Sequence, residues 1–567
     1  MRFVRASALA LAALFLGAEM AAATGQATDG TCAGGLVSSI DVRNHSLFAP
    51  EDIEGRRFDW AMSFVNFMHI RTRDGFIRKE LLLEEGDCFD AHALSESERM
   101  IRDLDFIARI ETSARQLPDS TWAIRVETWD EWTTQLGMDF DVESDFQFRG
   151  FYVTEKNLVG RGMRLTFRYR DFRERNDRFL TLSTGRFLGT RANASIGAGT
   201  TRTGSFARTE IAYPFVSEAG RFQLDSRLQV EDKEYSFLTG NHDGISHVLF
   251  PMEEVQGWFR VARRWGEPGG LTLLGTELTL LHREVPTAPA MVYRGDFHGA
   301  VPAPDSLASR LAGQDHPDSY VRFGITGGVR NLRFTTATGL DRVTGVQNVA
   351  LGSELLLTVG RTLSAFGSDV LDTYGRVDGF LGAAKGGLTA TAALRAEGRL
   401  VDSAPEGVSR WRDLSLFGSA QTYFQPGGSP FHTFVTGLRF DLRDNVEQPY
   451  QAAMGGEFGV RSYRDDEVPV GSSFVAYAEH RFNLEVFKPT VDLGFVVFGD
   501  IGQGWASDVP FGIDTGWRKA LGIGLRLGAP AGTGSITRIE LAWPVGGPDK
   551  GRSPMLRTYW SPTPTSR

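Results

Sequence analysis

The stretch that most constrains this chain is residues 163–170, Met-Arg-Leu-Thr-Phe-Arg-Tyr-Arg, in which apolar and polar residues alternate without a break. Successive side chains of a β-strand point to opposite faces, so one face is apolar while the other carries a threonine and three arginines. In a soluble sandwich the apolar face would turn inward. In a transmembrane barrel it turns outward to lipid, and the charged face lines a wet interior.

The same alternation recurs across residues 145–560, for example in residues 222–230, 521–527 and 538–543. At about 25 residues for a strand and its connection, this segment predicts about 16 antiparallel strands, an even number as in bacterial barrels. A soluble sandwich or propeller is the alternative. The length, the charged faces and the lack of an obvious blade repeat favour an all-β transmembrane barrel.

The first 23 residues indicate export. Basic residues, a short apolar run and Ala21-Ala22-Ala23 are typical of a secretory signal peptide over residues 1–23. After it, no stretch is apolar for the ~20 residues that a spanning helix needs, and the mean hydropathy is −0.20. The net charge of −9 gives no sign of a nucleic-acid partner.

Residues 36–130 carry helix signals and predict one small α+β domain with two helices on a short sheet. The S-x-x-E pattern Ser95–Glu98 predicts a capping box at the start of one helix. An earlier helix is predicted at residues 76–83, and residues 44–70 are interpreted as a helical insertion that contains Trp60, Phe64 and Phe67. The strands are predicted at residues 38–42, 107–115 and 122–128.

The chain has two cysteines, Cys32 and Cys88, both ahead of the strand-rich segment. An even count in an exported chain is compatible with a disulfide. Because Cys32 falls in the predicted leader, a disulfide and two free thiols both stay open. A disulfide would stabilise the folded domain by about 4 kcal/mol in the loop-entropy description.

Four motifs in order along the chain carry a resemblance to a known family. Residues 77–107 are similar to the helix-and-strand core of a POTRA domain, and residues 498–502 resemble a Phe-x-Asp-x-Gly strand element. An Asn-Leu-x-Gly-x-Gly turn and a Val-Arg-Gly-Phe/Tyr signature, here with serine for glycine, complete the set. Their residues are Asn157, Leu158, Gly160 and Gly162 for the turn, and Val460, Arg461, Ser462 and Tyr463 for the signature.

With these motifs the chain resembles the BamA/TamA-like outer-membrane assembly and secretion superfamily, in which POTRA domains precede a bacterial surface antigen barrel. The resemblance implies a single-POTRA member in the outer membrane of a Gram-negative bacterium, with its α+β domain in the periplasm. It also implies that the signature lies on a loop folded into the barrel. Arg461 would then pair with Asp500, with Glu479 nearby and Gly502 on the same strand; the alternative is a solvated loop charge.

The function that the resemblance implies is insertion or translocation of polypeptides at the outer membrane, without a cofactor or metal. Its partners would be membrane lipid, an unfolded or secreted client paired with the edge strand near residues 107–115, and periplasmic or lipoprotein partners. The first and last strands, expected near residues 146–153 and 555–560, would meet at a weak seam.

Three other readings stay open. One is a passive porin-like channel with the α+β domain as a spacer. Another is a surface adhesin or antigen that uses the long connection at residues 284–317. The third, an enzyme, is disfavoured because the sequence has no nucleophile elbow, zinc-protease motif, Walker A run or dinucleotide fingerprint.

Overall fold

The computed structural model of the chain describes residues 32, 34–48, 53, 59–141, 147–171, 176–201, 203–242, 245–285, 290–293, 301–311, 318–456, 459–463, 467–487 and 490–562. The signal peptide predicted over residues 1–23 and much of the connection at 284–317 lie outside these ranges. Two main sheets and one short two-stranded sheet organise the described residues. A three-stranded sheet belongs to the N-terminal domain, and a large antiparallel sheet follows it.

The N-terminal domain has a mixed sheet with the spatial order β1-β3-β2. Strand β1 runs parallel to the central strand β3, and β2 runs antiparallel to it. In the described part of the chain, three helices lie between β1 and β2. The elements are β1 Val37–His45, α1 Asp59–Met68, α2 Asp74–Glu80, α3 Ala91–Arg102, β2 Ile107–Gln116 and β3 Trp122–Asp130.

The core of this domain forms where α2 and α3 cover one face of the sheet. Ile77 and Ile101 of the helices are fully buried against Ile107 and Val126 of the strands. Helix α3 begins earlier than the sequence predicted. Asp90 is its N-cap and accepts from the N–H of His92 (2.8 Å), so the capping box predicted at Ser95 is wrong. A side-chain acceptor directly before the first helical turn satisfies the free N–H groups there.

The large sheet consists of antiparallel strands in the order of a closed barrel, with the last strand next to the first. Two further short strands, β21 Ala452–Ala453 and β22 Pro469–Val470, pair with each other. The strands of the barrel are β4 Thr134–Asp141, β5 Gln147–Leu158, β6 Met163–Asp171, β7 Asn176–Thr184, β8 Asn193–Thr201, β9 Gly204–Tyr213, β10 Phe222–His242, β11 Ile245–Glu267, β12 Gly270–Glu284, β13 Ala290–Tyr293, β14 Val301–Pro302, β15 Asp318–Thr338, β16 Val346–Thr362, β17 Asp372–Lys385, β18 Leu388–Val401, β19 Trp411–Phe424, β20 His432–Asp444, β23 Ser472–Phe487, β24 Val491–Trp505, β25 Arg518–Gly528, β26 Ser535–Gly546 and β27 Met555–Pro562.

The strand number differs from the prediction. Among the described residues, nineteen barrel strands of eight or more residues lie beyond residue 145, where the sequence predicted about 16, and β4 precedes them. Strands β6 to β9 have only 9 or 10 residues and short turns, so each uses less chain than assumed. The first strand of the barrel is β4, not residues 146–153. Nothing in the sequence indicates this start, because only three residues separate β4 from β3 and no linker marks the boundary.

Exposed apolar side chains alternate with buried side chains along the barrel strands. In β16, Leu355, Leu357 and Val359 are exposed on the outer face, whereas Thr358 between them is buried. In β24, every second residue from Asp492 is buried. The barrel is therefore apolar outside, and its inner face carries the buried arginines and carboxylates.

Connections at the end of the barrel away from the N-terminal domain pack against one another. Phe237 and Phe250 lie near the turn of the long β10–β11 hairpin. They pack against Leu307 of helix α4 (Asp305–Ala308) and against Phe511. Phe511 belongs to the connection between β24 and β25.

Candidate functional site

The candidate site is built on the connection between β20 and β23, residues 445–471, which we call the lumenal loop. Its base is fixed by Gln451, whose side chain bonds both backbone groups of Leu238 (2.7 and 2.9 Å) and the carbonyl of Pro510 (3.0 Å). Beyond the short β21–β22 pair, the loop descends along the inner wall. Its tip, residues 460–463, is buried inside the barrel.

Arg461 at this tip is surrounded by carboxylates of the barrel wall. Its Nη2 donates to Asp500 Oδ1 (2.6 Å) and its Nε to Asp500 Oδ2 (3.0 Å). Its backbone N–H also reaches Asp500 Oδ2 (3.1 Å), and Nη1 donates to Glu479 Oε1 (2.8 Å). The structure thus brings together the three residues that the resemblance implied.

The surroundings of Arg461 include two residues that the sequence did not assign to this site. Nη1 lies 3.5 Å from Oε1 of Glu540 on β26. The guanidinium lies over the ring of Phe498, 3.5 Å from its centroid. Alternation placed Glu540 on the charged face of its strand, which was the available signal. The register between strands decides which charged residues of different strands become neighbours, and the sequence of a single strand does not reveal that register.

The charges of the site balance. Arg481 donates to Glu479 Oε2 (2.7 Å), and Arg538 lies 3.8 Å from Glu540 Oε1. Three arginines therefore face three carboxylates in the barrel interior. A buried charge that loses its partner destabilises a protein strongly, so this cluster fixes the loop in one position.

Glycines on β24 give the loop room to approach the wall. A Cβ added at Gly502 would lie 2.8 Å from Val460 Cγ2 and 3.1 Å from Met454 Cε. One at Gly504 would lie 2.4 Å from Val470 Cγ1. Val460 and Met454 are fully buried in one apolar cluster with Tyr463. The glycine predicted at position 502 thus serves close packing.

Ser462 replaces the glycine of the signature without a positive φ. Among the described residues, those with positive φ include Gly456 of the loop but neither Ser462 nor Tyr463. The Tyr463 carbonyl accepts from Arg557 on β27, and the Tyr463 ring lies 4.6 Å from the Arg518 guanidinium on β25. The loop tip therefore contacts each of the last five barrel strands, up to the one beside β4.

The first-hairpin motif lies where the barrel meets the N-terminal domain. Asn157 donates to Thr72 Oγ1 (2.6 Å) and accepts from the N–H of Gly162 (2.7 Å). Gly160 has a φ of 70°, and a Cβ there would lie 2.4 Å from the Arg71 carbonyl. Leu158 closes the hairpin opposite Met163. These residues are far along the barrel from Arg461, and they form a docking turn for the domain.

Helix α3 lies across the same end of the barrel. Glu96 accepts from the N–H of Glu218 in the β9–β10 turn (3.1 Å), and Asn348 of β16 donates to Asp103 Oδ1 (2.7 Å). Burial raises the pKa of Asp103. Burial also acts to raise the pKa of Glu96, but Arg99 and the Glu218 N–H more than offset it and hold that pKa below its ordinary value.

A cavity of about 1000 Å³ remains between α3 and the inner wall, lined by residues that include Met100, Phe334 and Arg264. A buried ion pair, Glu131–Lys156 (3.8 Å), adds to the contact between domain and barrel. The Lys156 ammonium also donates to Ser535 Oγ (3.0 Å). The pair of Glu131 and Lys156 was not predicted from the sequence, because neither residue lies in an amphipathic pattern.

The two edges of the small sheet differ. On β1, the Ile40 N–H donates to Glu85 Oε1 (2.9 Å) and the Asn44 N–H donates to Asp74 Oδ1 (3.1 Å). The Ile40 N–H and Arg78 hold the pKa of Glu85 below its ordinary value. Strand β2 pairs with β3 on one side, and the main-chain hydrogen bonds between described residues provide no partner on its other side. The open edge is therefore β2, the strand that the sequence proposed.

Cys32 and Cys88 form a disulfide with a Cα–Cα distance of 5.4 Å. It joins the segment that leads into β1 to the residues just ahead of α3. Of the two alternatives that the sequence left open, a disulfide and two free thiols, the structure has the disulfide, which anchors the start of the domain. In the described part of the chain, no helix is long and apolar enough to cross a membrane, and no three His, Cys, Asp or Glu side chains could hold a metal ion.

No protein-family model and no curated protein sequence matches the chain. Solved structures similar to it include BamA from Haemophilus ducreyi lacking POTRA domains 1–3, with a TM-score of 0.36 and 13% identity over 93% of this chain and 84% of that one. CdiB from Escherichia coli has a TM-score of 0.43 and 12% identity (95% and 91% covered). CdiB from Acinetobacter baumannii has 0.39 and 10% (93% and 72% covered). Similarities this low assign neither a family nor a function to the chain.

Proposed function

We propose that this chain is an outer-membrane protein that inserts or translocates polypeptides, with its N-terminal domain acting as a POTRA-like domain in the periplasm. The apolar exterior of the barrel fits a lipid environment, where closed barrels satisfy every backbone group internally. The domain docks at one mouth of the barrel through Asn157, Lys156 and helix α3. No catalytic step is required, because pairing and release of a client are non-covalent.

The observation that carries the proposal is the open edge of β2 beside the barrel. An exposed edge strand offers its N–H and C=O groups to any extended polypeptide, largely independent of client sequence. The other edge, β1, is occupied by the side chains of Glu85 and Asp74. One edge of the domain is thus suited to bind a client, and the other provides an internal control.

The partly occupied interior favours this function over a passive channel. The lumenal loop lies inside the barrel against the last five strands. Helix α3 of the N-terminal domain lies across the mouth at its own end of the barrel. At the opposite end, connections pack together in the cluster around Phe237 and Phe511. Transport through such a barrel requires movement of these parts, as expected for regulated passage of a polypeptide.

The experiment places a photo-crosslinking amino acid at Glu111 on β2 and, as a matched control, at Arg43 on β1. Both positions are exposed. In cells, we expect position 111 to capture an extended barrel precursor or secreted polypeptide and position 43 to capture none. Equal capture at both edges, or none at either, would remove the β2 edge from the function.

Depletion of the protein separates transport of polypeptides from transport of solutes. The proposal predicts loss of specific outer-membrane or secreted proteins from the proteome, with unchanged uptake of small solutes. An unchanged proteome together with altered solute permeability would instead establish the passive channel.

A further inference from the structure

Helix α1 presents an apolar face that the domain does not use. Trp60, Phe64 and Phe67, at helical spacing i, i+4 and i+7, are 70%, 58% and 83% exposed. Large aromatic side chains this exposed on one face of a helix are uncommon on a soluble surface and mark an interaction site. Asp59, at the first residue of the helix, is the one charged residue in its ten-residue sequence.

The opposite face of α1 attaches the helix to the domain and fixes its position. Met62 is buried with Leu47 and Phe48, and Val65 packs against the same cluster. The Asn66 side chain bonds both backbone groups of Phe48, at 2.9 and 3.2 Å. The aromatic face is therefore held outward by contacts on the other side of the helix.

The position of α1 is the rim of the barrel. Met62 Sδ lies 4.0 Å from Thr490 Oγ1 in the turn between β23 and β24. Trp132, two residues ahead of β4, packs on the same buried cluster. Helix α1 thus lies at the barrel end that carries the N-terminal domain, close to strands on either side of the junction between β27 and β4.

The apolar exterior of the barrel continues to this rim. Phe487, the last residue of β23, and Leu136 on β4 are 56% and 64% exposed. They lie within a few residues of Thr490 and Trp132, which contact α1 or its cluster. The aromatic face of α1 therefore lies at the barrel end where exposed apolar residues of the outer surface, Phe487 and Leu136, are also found.

We infer that α1 is an interfacial membrane anchor whose occupant is the phospholipid of the leaflet around this end of the barrel. The inference rests on the proposed function, because it requires the barrel to span a bilayer. Trp and Tyr concentrate at the membrane–water boundary, and an interfacial helix buries an apolar face of Trp, Phe and Leu residues ~5–10 Å into that boundary. The uncharged face indicates binding to zwitterionic lipid without a need for acidic headgroups.

Anchoring at this place holds the domain against the bilayer as well as against the barrel. Strand β3 passes directly into β4 through residues 131–133. A helix fixed in the leaflet limits how far the domain can swing about that short connection. The open edge of β2 thereby keeps one orientation relative to the membrane.

The test uses the full chain reconstituted in phosphatidylcholine vesicles that contain brominated lipid. A single cysteine carrying an environment-sensitive fluorophore is introduced as Phe64→Cys, with Phe67→Cys as a second reporter should the first variant fail to fold. Leu355→Cys reports the barrel exterior. Ser120→Cys, in the β2–β3 turn, lies about 30 Å from the β3 end that enters the barrel, at ~3.3 Å per residue.

Lipid contact at α1 predicts that shallow bromines quench position 64 to within about two-fold of position 355, as for a label ~5–10 Å deep, and leave position 120 unquenched. Quenching at 355 without quenching at 64 and 67 would overturn the anchor and leave the barrel in the membrane. An apolar emission spectrum at 64 without lipid quenching would mean that a protein covers the helix, which also overturns the anchor. No quenching at 355 would contradict the proposed function itself.

Discussion

At the residue scale, the position of the lumenal loop depends on one buried guanidinium. Arg461 is held by two oxygens of Asp500, one of Glu479 and the ring of Phe498. These contacts come from two neighbouring strands. The position of the lumenal loop is therefore set jointly by Arg461 of the loop and by the carboxylates of the barrel wall.

We predict that Arg461→Ala alone destabilises the folded protein by about 3–5 kcal/mol, because it leaves the carboxylates of Asp500 and Glu479 buried without their partner. A double-mutant cycle with Asp500→Ala should give a coupling of about 0.5–3 kcal/mol in the free energy of unfolding in detergent. The half-exposed pair Arg361–Asp402 is the control and should show little coupling. Additive effects of the Arg461 and Asp500 changes would contradict the assigned contact.

We predict that Gly502→Ala loosens the same loop. The added methyl group would lie 2.8 Å from Val460 Cγ2 and should cost about 1–3 kcal/mol of stability through overpacking. Gly375→Ala is the matched control, since nothing lies within 4 Å of a Cβ there. Protease cleavage within residues 445–471 should rise for the first variant only. Equal cleavage of both variants would mean that Gly502 has no role in seating the loop.

At the element scale, the docking of α3 on the barrel responds to acid through Glu96. Since the folded-state pKa of Glu96 lies below its ordinary value, its contribution is fully present above about pH 4.5 and is lost as the pH falls through the lower folded pKa. Asp103, whose pKa is raised by burial, contributes the opposite dependence.

We predict that, in an Asp103→Asn background, hydrogen-exchange protection of α3, corrected for intrinsic rates, decreases below about pH 4.5. Adding Glu96→Gln should remove this dependence, because the amide does not titrate. A decrease that persists in the double variant would assign the acid response to another group.

Elements were predictable where their pattern is local. Strand β2 begins at Ile107, where the sequence predicted it, and α1 lies within the predicted insertion. The start of α3 was missed because Asp90 and Ser95 are both acceptable caps, and packing against the sheet selects the first. The contact of Arg461 with Glu540 required the register between β25 and β26, which no single strand carries.

At the scale of the whole molecule, the domain, the barrel and the lumenal loop form one connected polar system. Glu479 is shared by Arg461 and Arg481, and Arg481 donates to the carbonyl of Leu340 (2.7 Å) in the β15–β16 turn. A few residues further on, Asn348 bonds Asp103 of the domain. Contacts therefore extend along the lumen from the loop tip to the domain.

The facing of the strands was readable from sequence because the side-chain period of a strand is two. The number of strands was not, because it depends on strand length and turn length, and β6–β9 are short while β10 and β11 have 21 and 23 residues. A barrel that spans a membrane nevertheless requires one global property, an apolar outer surface around a charged interior.

A cysteine scan along β16 measures that property directly. Single cysteines at positions 354–359, labelled with a fluorophore in vesicles, should alternate with a period of two. Bromolipid should quench positions 355, 357 and 359, which are exposed on the outer face, and should leave positions 354, 356 and 358 unquenched. Quenching without alternation, the opposite phase, or a mature protein that stays dissolved and monomeric without detergent would contradict the account.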